Sequence, residues 1–207
     1  MLTVYGRANS INVRKVLWML DEVGEPFDRQ DWGRGYRPTS EPDFMRLSIF
    51  GVVPIIDDGG FVLRESQTIV RYLANKHSRH DLYPADLKAR AQTESWMDWA
   101  STDLYAAARP VFHAMIVNAK DPTTAVAPAD GVADWAKHMK RLDQQLTNEG
   151  PFLMGAAFTI ADIPAGMVVN RWFALKFDKP ELPAVAGYYD RLAERRAFRT
   201  HGRNGTP

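Results

Sequence analysis

The run Val53-Pro54-Ile55-Ile56-Asp57-Asp58-Gly59-Gly60-Phe61-Val62-Leu63-Arg64, passing straight into Glu65-Ser66, limits the folds open to this chain more than any other stretch. Proline has no N–H to give a sheet ladder, so Pro54 belongs at the start of a strand rather than inside one. Ile55-Ile56 reads as a short apolar strand, the Asp-Asp-Gly-Gly segment turns the chain, and Phe61–Arg64 returns as a second strand. An acidic residue and a hydroxyl then open a helix predicted from Gln67 to about Asn75. Such a unit can hold a peptide-like ligand in two ways. The main chain around Val53 can pair with an extended peptide, and the helix start at Ser66 presents N–H groups to a carboxylate.

At 207 residues the chain can bury a sizeable core, as one large domain or two small ones. Its 26 basic and 25 acidic residues nearly cancel, so no global field draws in nucleic acid or an anionic membrane. There is no cysteine, which removes disulfide scaffolds, thiolate metal sites and a C-x-x-C redox pair. Any thiol chemistry must use a thiol carried by a ligand. The five histidines have no H-x-x-x-H or H-E-x-x-H spacing, and no metal site is expected. No apolar run nears the ~20 residues of a membrane span. Met1-Leu2-Thr3-Val4-Tyr5 lacks the charged start and long apolar stretch of a signal peptide. These readings predict a soluble, cytoplasmic protein.

Leu2–Tyr5 reads as a strand. From Ile11 the positions Val13, Val16, Leu17, Leu20 and Val23 keep helical spacing, and Gly24 stands where a helix ends. A second strand is predicted over Phe27–Trp32 and a short helix over Asp43–Leu47. The first 76 residues thus run β-α-β, small helix, β-β-α. The polar stretch from His77 to Pro84 reads as a linker. Beyond it strand signals vanish. Helices are predicted over Ala85–Lys120 with a kink or break near Ala107–Arg109 caused by Pro110, over Asp130–Asn148, over Thr159–Phe173 and over Pro183–Arg195. Arg191, Arg195, Arg196, Arg199 and Arg203 read as a solvated helix face, and the tail from His201 is expected to fray.

The β-α-β-β-β-α-like first half, Val53-Pro54, Glu65-Ser66 opening a helix, and an all-helical second half together resemble the cytosolic glutathione transferase family. Arg14-Lys15-Val16-Leu17, Phe61 through Leu73, and Phe158-Thr159-Ile160-Ala161-Asp162-Ile163 carry the likeness further. It is most similar to bacterial members with a serine- or asparagine-type active site, near the theta and Nu-like groups. The resemblance implies an α/β thioredoxin-like N-terminal domain over 1–76, a linker over 77–87 and an all-α C-terminal domain over 88–207. It also implies glutathione as co-substrate, a small hydrophobic electrophile as its partner, and a homodimer.

The same resemblance assigns the site. In the family the Val-Pro bond is cis, and the Val53 main chain pairs with the cysteinyl unit of glutathione. Ser66 takes the γ-glutamyl carboxylate, and Glu65 pairs with the ammonium. Ser10 and Asn12, at the start of the first helix, stand where a thiolate would meet a hydroxyl, an amide and the positive end of the helix. All three lower a thiol's pKa and raise its reactive fraction. The competing reading is a plain cap supplied by Ser10 or Asn9. Asp103 stands where relatives reach the ammonium of a dimer partner, and a solvated aspartate is the alternative. Thr159–Asp162 matches a family capping motif of structural purpose. Phe50 and Val52 replace polar or basic residues that hold the glycyl carboxylate in relatives, which leaves Arg37 or Arg34 for that end. The expected activity is conjugation of the glutathione thiolate to small hydrophobic electrophiles, with disulfide or peroxide reduction as a variant. The alternative is a non-catalytic binding or regulatory protein of the same fold.

Overall fold

A computed structural model describes residues 1–207. The chain divides into two compact units, Met1–Tyr83 and Pro84–Pro207.

The first unit holds β1 (Leu2–Tyr5), α1 (Ile11–Val23), β2 (Phe27–Gln30), α2 (Pro42–Leu47), β3 (Ile55–Asp58), β4 (Phe61–Arg64) and α3 (Ser66–Lys76). The sheet order is β2-β1-β3-β4. β1 and β2 are parallel, and β3 runs antiparallel to β1 and to β4. The pleat sorts the apolar residues. Tyr5 and Ile55 stand opposite one another, and both join a cluster with Trp32, Phe44 and Leu47 on the α2 side. Val4 and Ile56, also opposite and fully buried, face the other way, where α1 and α3 pack together. Gly24 ends α1 in the left-handed conformation, as its position in the sequence suggests.

Three details differ from the sequence reading. β2 stops at Gln30, because Trp32 leaves the ladder to fill the cluster against Phe44, 5.1 Å away. α3 begins at Ser66. The segment from His77 to Tyr83 folds onto the first unit rather than spanning between units. There Arg79 Nη1 donates to the Glu22 carbonyl at 2.6 Å, and Leu82 and Tyr83 are buried.

The second unit is helical. α4 (Leu87–Trp99) runs through a π turn (Ala100–Leu104) into α5 (Tyr105–Phe112), followed by a second π turn (His113–Val117). α6 (Ala129–Glu149), α7 (Asp162–Ala174), α8 (Pro183–Leu192) and α9 (Arg196–His201) complete it. Pro110 does not break the helix; it sits inside α5. Ala107, Ala108 and Val111 are buried against neighbouring helices, and Gly131 of α6 leaves room for Pro110 and Val111. That packing outweighs the ~3 kcal/mol cost of an interior proline. The tail does not fray: Asn170 Nδ2 donates to the Thr206 carbonyl at 2.9 Å, and Arg203 pairs with Asp190 at 2.6 Å. No helix is long and apolar enough to cross a membrane.

Asp162 organises this unit. Its carboxylate is fully buried and accepts from the Thr159 N–H at 2.8 Å, the Leu153 N–H at 3.0 Å and the Tyr188 hydroxyl at 3.1 Å. Burial pushes its pKa from 3.8 up to about 6, against the pull of those donors. The folded chain therefore keeps a proton that the unfolded chain has released between those values. The stability from this group is full below 3.8 and is lost as pH rises through about 6. Denaturant titrations at a series of pH values should show that decline in the native chain and a flatter profile for Asp162→Asn.

Candidate functional site

Strand register brings the predicted residues of the first unit together. Tyr5 lies opposite Ile55, and Ile55 opposite Arg64. The residues that follow Tyr5, precede Ile55 and follow Arg64 therefore share one end of the sheet. The turn into α1, Val53-Pro54 and the start of α3 meet there. Gly6 makes the meeting possible: with φ at +152°, a Cβ there would fall 2.5 Å from Val13 Cγ2 and 3.2 Å from Val53 Cβ. Gly33 brings the loop after β2 to the same place, where a Cβ would lie 3.9 Å from Val53 Cγ2.

The Val53-Pro54 peptide bond is cis. The ladder between β3 and β4 begins at Ile55, and neither the N–H nor the carbonyl of Val53 is bonded within the chain. An extended ligand can therefore pair with both.

The start of α3 is equally open. Its first main-chain bond runs from the Ile69 N–H to the Glu65 carbonyl, which leaves the N–H groups of Ser66, Gln67 and Thr68 unused. Ser66 is buried, and its hydroxyl makes no bond in the chain. Glu65 holds φ at 71°, a conformation that costs a non-glycine residue energy and that recurs at ligand sites. Its carboxylate meets Arg64 at 2.7 Å. Gln67 is a candidate that the sequence reading did not single out: its Oε1 is buried with no hydrogen-bond partner. The available signal was its place beside Ser66 in the first helical turn.

At the start of α1, Ser10 has extended backbone angles, its N–H donates to the Arg7 carbonyl, and its side chain does not cap the helix. Asn9 does not cap it either, because its Oδ1 accepts from Arg7 Nη1 at 2.7 Å. The plain capping reading is thereby excluded for both. Asn12, one residue inside α1, accepts a bond on Oδ1 from Lys15 Nζ at 3.0 Å. This end of the molecule thus collects two open helix starts, two free hydroxyls and one free strand segment.

Arg37 is engaged elsewhere. Its guanidinium meets Glu41 at 2.9 Å and Asp43 at 3.5 Å, and lies 3.8 Å above the Trp32 ring. Arg34 has no ion pair and lines a cavity of about 330 Å³ with Gly33, Tyr36, Thr39 and Ser40. Phe50 lies exposed beneath the Arg64 guanidinium at 3.9 Å, and Val52 is also exposed. Asp103 sits exposed on the first π turn of the helical unit and accepts from Thr102 Oγ1 at 2.7 Å. A larger cavity of about 560 Å³, bounded by Phe173, Tyr189 and Arg203, lies within the helical unit and holds none of the predicted residues.

Residues 1–75 match the model of the glutathione S-transferase N-terminal domain. Over 201 residues the chain is 30% identical to glutathione S-transferase GstB of Escherichia coli K12, covering 96% of both chains. It belongs to the glutathione S-transferase family. Glutathione S-transferase 3 of Zea mays is likewise 30% identical over 212 residues, covering 95% of this chain and 91% of the maize protein. Among solved structures, the theta class glutathione S-transferase of Xanthomonas axonopodis pv. citri with glutathione bound superposes with a TM-score of 0.87 at 33% identity, covering 97% of this chain and 96% of that one.

Proposed function

We propose that this glutathione S-transferase binds glutathione at the end of the sheet where α1, α3 and Val53 converge, and transfers its thiolate to a small hydrophobic electrophile. One observation carries the reading: main-chain and hydroxyl groups of Val53, Ser66 and Ser10 share this sheet end and have no partners among the side chains around them. Buried or half-buried polar groups need partners, and a tripeptide thiol supplies a matching set. The cysteinyl unit pairs with Val53. The γ-glutamyl carboxylate takes the Ser66 hydroxyl and the helix-start N–H groups, as a carboxylate suits a helix N-terminus. The γ-glutamyl ammonium takes the Gln67 amide oxygen and Glu65.

The sulfur then lies by Ser10 and Asn12, whose O–H and N–H donors and helix dipole favour the thiolate. The thiolate attacks the electrophilic carbon, a carbon–sulfur bond forms, and the leaving group departs with its electron pair. Holding both reactants together removes the entropic cost of their encounter. With no cysteine in the chain, any disulfide reduction at this site proceeds through glutathione alone. The exposed apolar side chains of Ile49, Phe50 and Val52, on the loop before β3, support a homodimer, since a second copy would bury them.

Retention on immobilised glutathione with release by free glutathione, together with turnover of a chlorodinitrobenzene-type electrophile or hydroxyethyl disulfide, tests the proposal. Retention without turnover would support the non-catalytic alternative, and neither would end both. For the glycyl carboxylate, Arg34 is favoured over Arg37, which is already paired. Arg34→Ala should raise the glutathione KM about tenfold, the worth of one charge-assisted hydrogen bond. Arg37→Ala should change it less than threefold; equal effects would remove this assignment.

A further inference from the structure

Lys15 is an unusual residue for its position. It lies on α1, one turn from the proposed sulfur site, and only 3% of its surface is exposed. Lysine is almost never fully buried without a reason. Its Nζ donates to Asn12 Oδ1 at 3.0 Å. An ammonium group has three donors and no acceptor, so its partner on the Asn12 amide must be the oxygen. The amide is planar, and fixing Oδ1 on Lys15 turns the Nδ2 hydrogens to the opposite side. An unanchored asparagine could present either end to the site. The oxygen would repel a thiolate; the N–H₂ group stabilises it.

We infer that Lys15 is a positioning residue: by holding Asn12 Oδ1 it commits the Asn12 amide to act as a hydrogen-bond donor toward the glutathione sulfur. The inference rests on the glutathione-binding reading given above. It gives Lys15 a role separate from its charge. A cation stabilises a nearby thiolate whatever Asn12 does, whereas an orienting bond acts only while Asn12 is present.

The test is a double-mutant cycle on the pKa of enzyme-bound glutathione, read from the ultraviolet absorbance of the thiolate as pH is varied. Lys15→Met should raise that pKa by about one unit, a roughly tenfold loss of thiolate at neutral pH. Lys15→Arg, which keeps the donor, should restore most of it. In the Asn12→Ala background, Lys15→Met should shift the pKa by less than a third of a unit. Circular dichroism and thermal unfolding establish that each variant is folded, and Lys15→Leu, which also removes the donor, repeats the comparison if the methionine variant is not. An equal shift in both backgrounds would mean that Lys15 acts through charge alone and overturns the inference. No shift in either also overturns it. A native chain that gives no thiolate signal with glutathione overturns the binding reading itself, and the inference with it.

Discussion

Replacing Ser10 by alanine should lower kcat/KM for conjugation about 10- to 100-fold and leave the fold intact. The size follows from the energy of a hydrogen bond to a charged group, about 1.5–3 kcal/mol. The Ser10 hydroxyl makes no cap bond, so its removal strips nothing from the helix start. That separates this serine from an ordinary N-cap, whose loss would cost about 1 kcal/mol of stability. Most of the deficit should lie in kcat at neutral pH and shrink as pH is raised, because an alkaline solution ionises the thiol without help. A loss that stays constant with pH would place Ser10 in binding rather than in thiol activation. Unchanged turnover in both Ser10→Ala and Asn12→Ala would remove the α1 start from the mechanism.

The largest effect on stability is expected at Asp162. Asp162→Ala leaves the N–H groups of Thr159 and Leu153 and the Tyr188 hydroxyl buried without their acceptor. Each orphaned group costs about 1–3 kcal/mol, so the total should reach about 3–5 kcal/mol. For a chain of this size that is a fall of about 10–15 °C in Tm. The loss should be greater at pH 5 than at pH 7. Asp162 contributes most below its raised pKa of about 6, and the variant has no such group. A loss below about 1 kcal/mol would mean that the surrounding turn finds other partners, against the reading of Asp162 as its organising acceptor.

Much of this architecture is written in local pattern. Leu2–Tyr5 and Ile11–Val23 are found where β-branched residues, helical spacing and Gly24 put them. The all-helical second half follows from the loss of strand signals after Pro84. What local pattern does not carry is tertiary packing. Pro110 was expected to kink or break a helix, yet the helix continues through it, and Gly131, distant in sequence, makes room for it. The tail was expected to fray, but Asn170 holds Thr206 across 36 positions.

The site divides in the same way. Ser10, Asn12, Val53, Pro54, Glu65 and Ser66 sit at element ends, where turn and cap chemistry shows in the sequence, and the register then gathers them. Arg37 was one of the two arginines the sequence offered for a carboxylate. Its engagement with Glu41 and Trp32 depends on how α2 and the preceding loop fold back. Gln67 and Lys15 entered the sequence reading only within segments of family likeness and were given no role, because burial of a polar atom is invisible until neighbours are placed.

Calorimetric titration of the intact chain with glutathione tests the central claim most directly, with Ser66→Ala as its companion. The convergence of Val53, Ser66 and Ser10 at one sheet end predicts saturable heat with one site per chain, and binding about tenfold weaker in the variant. No heat at millimolar glutathione, or equal affinity in the two proteins, would contradict it.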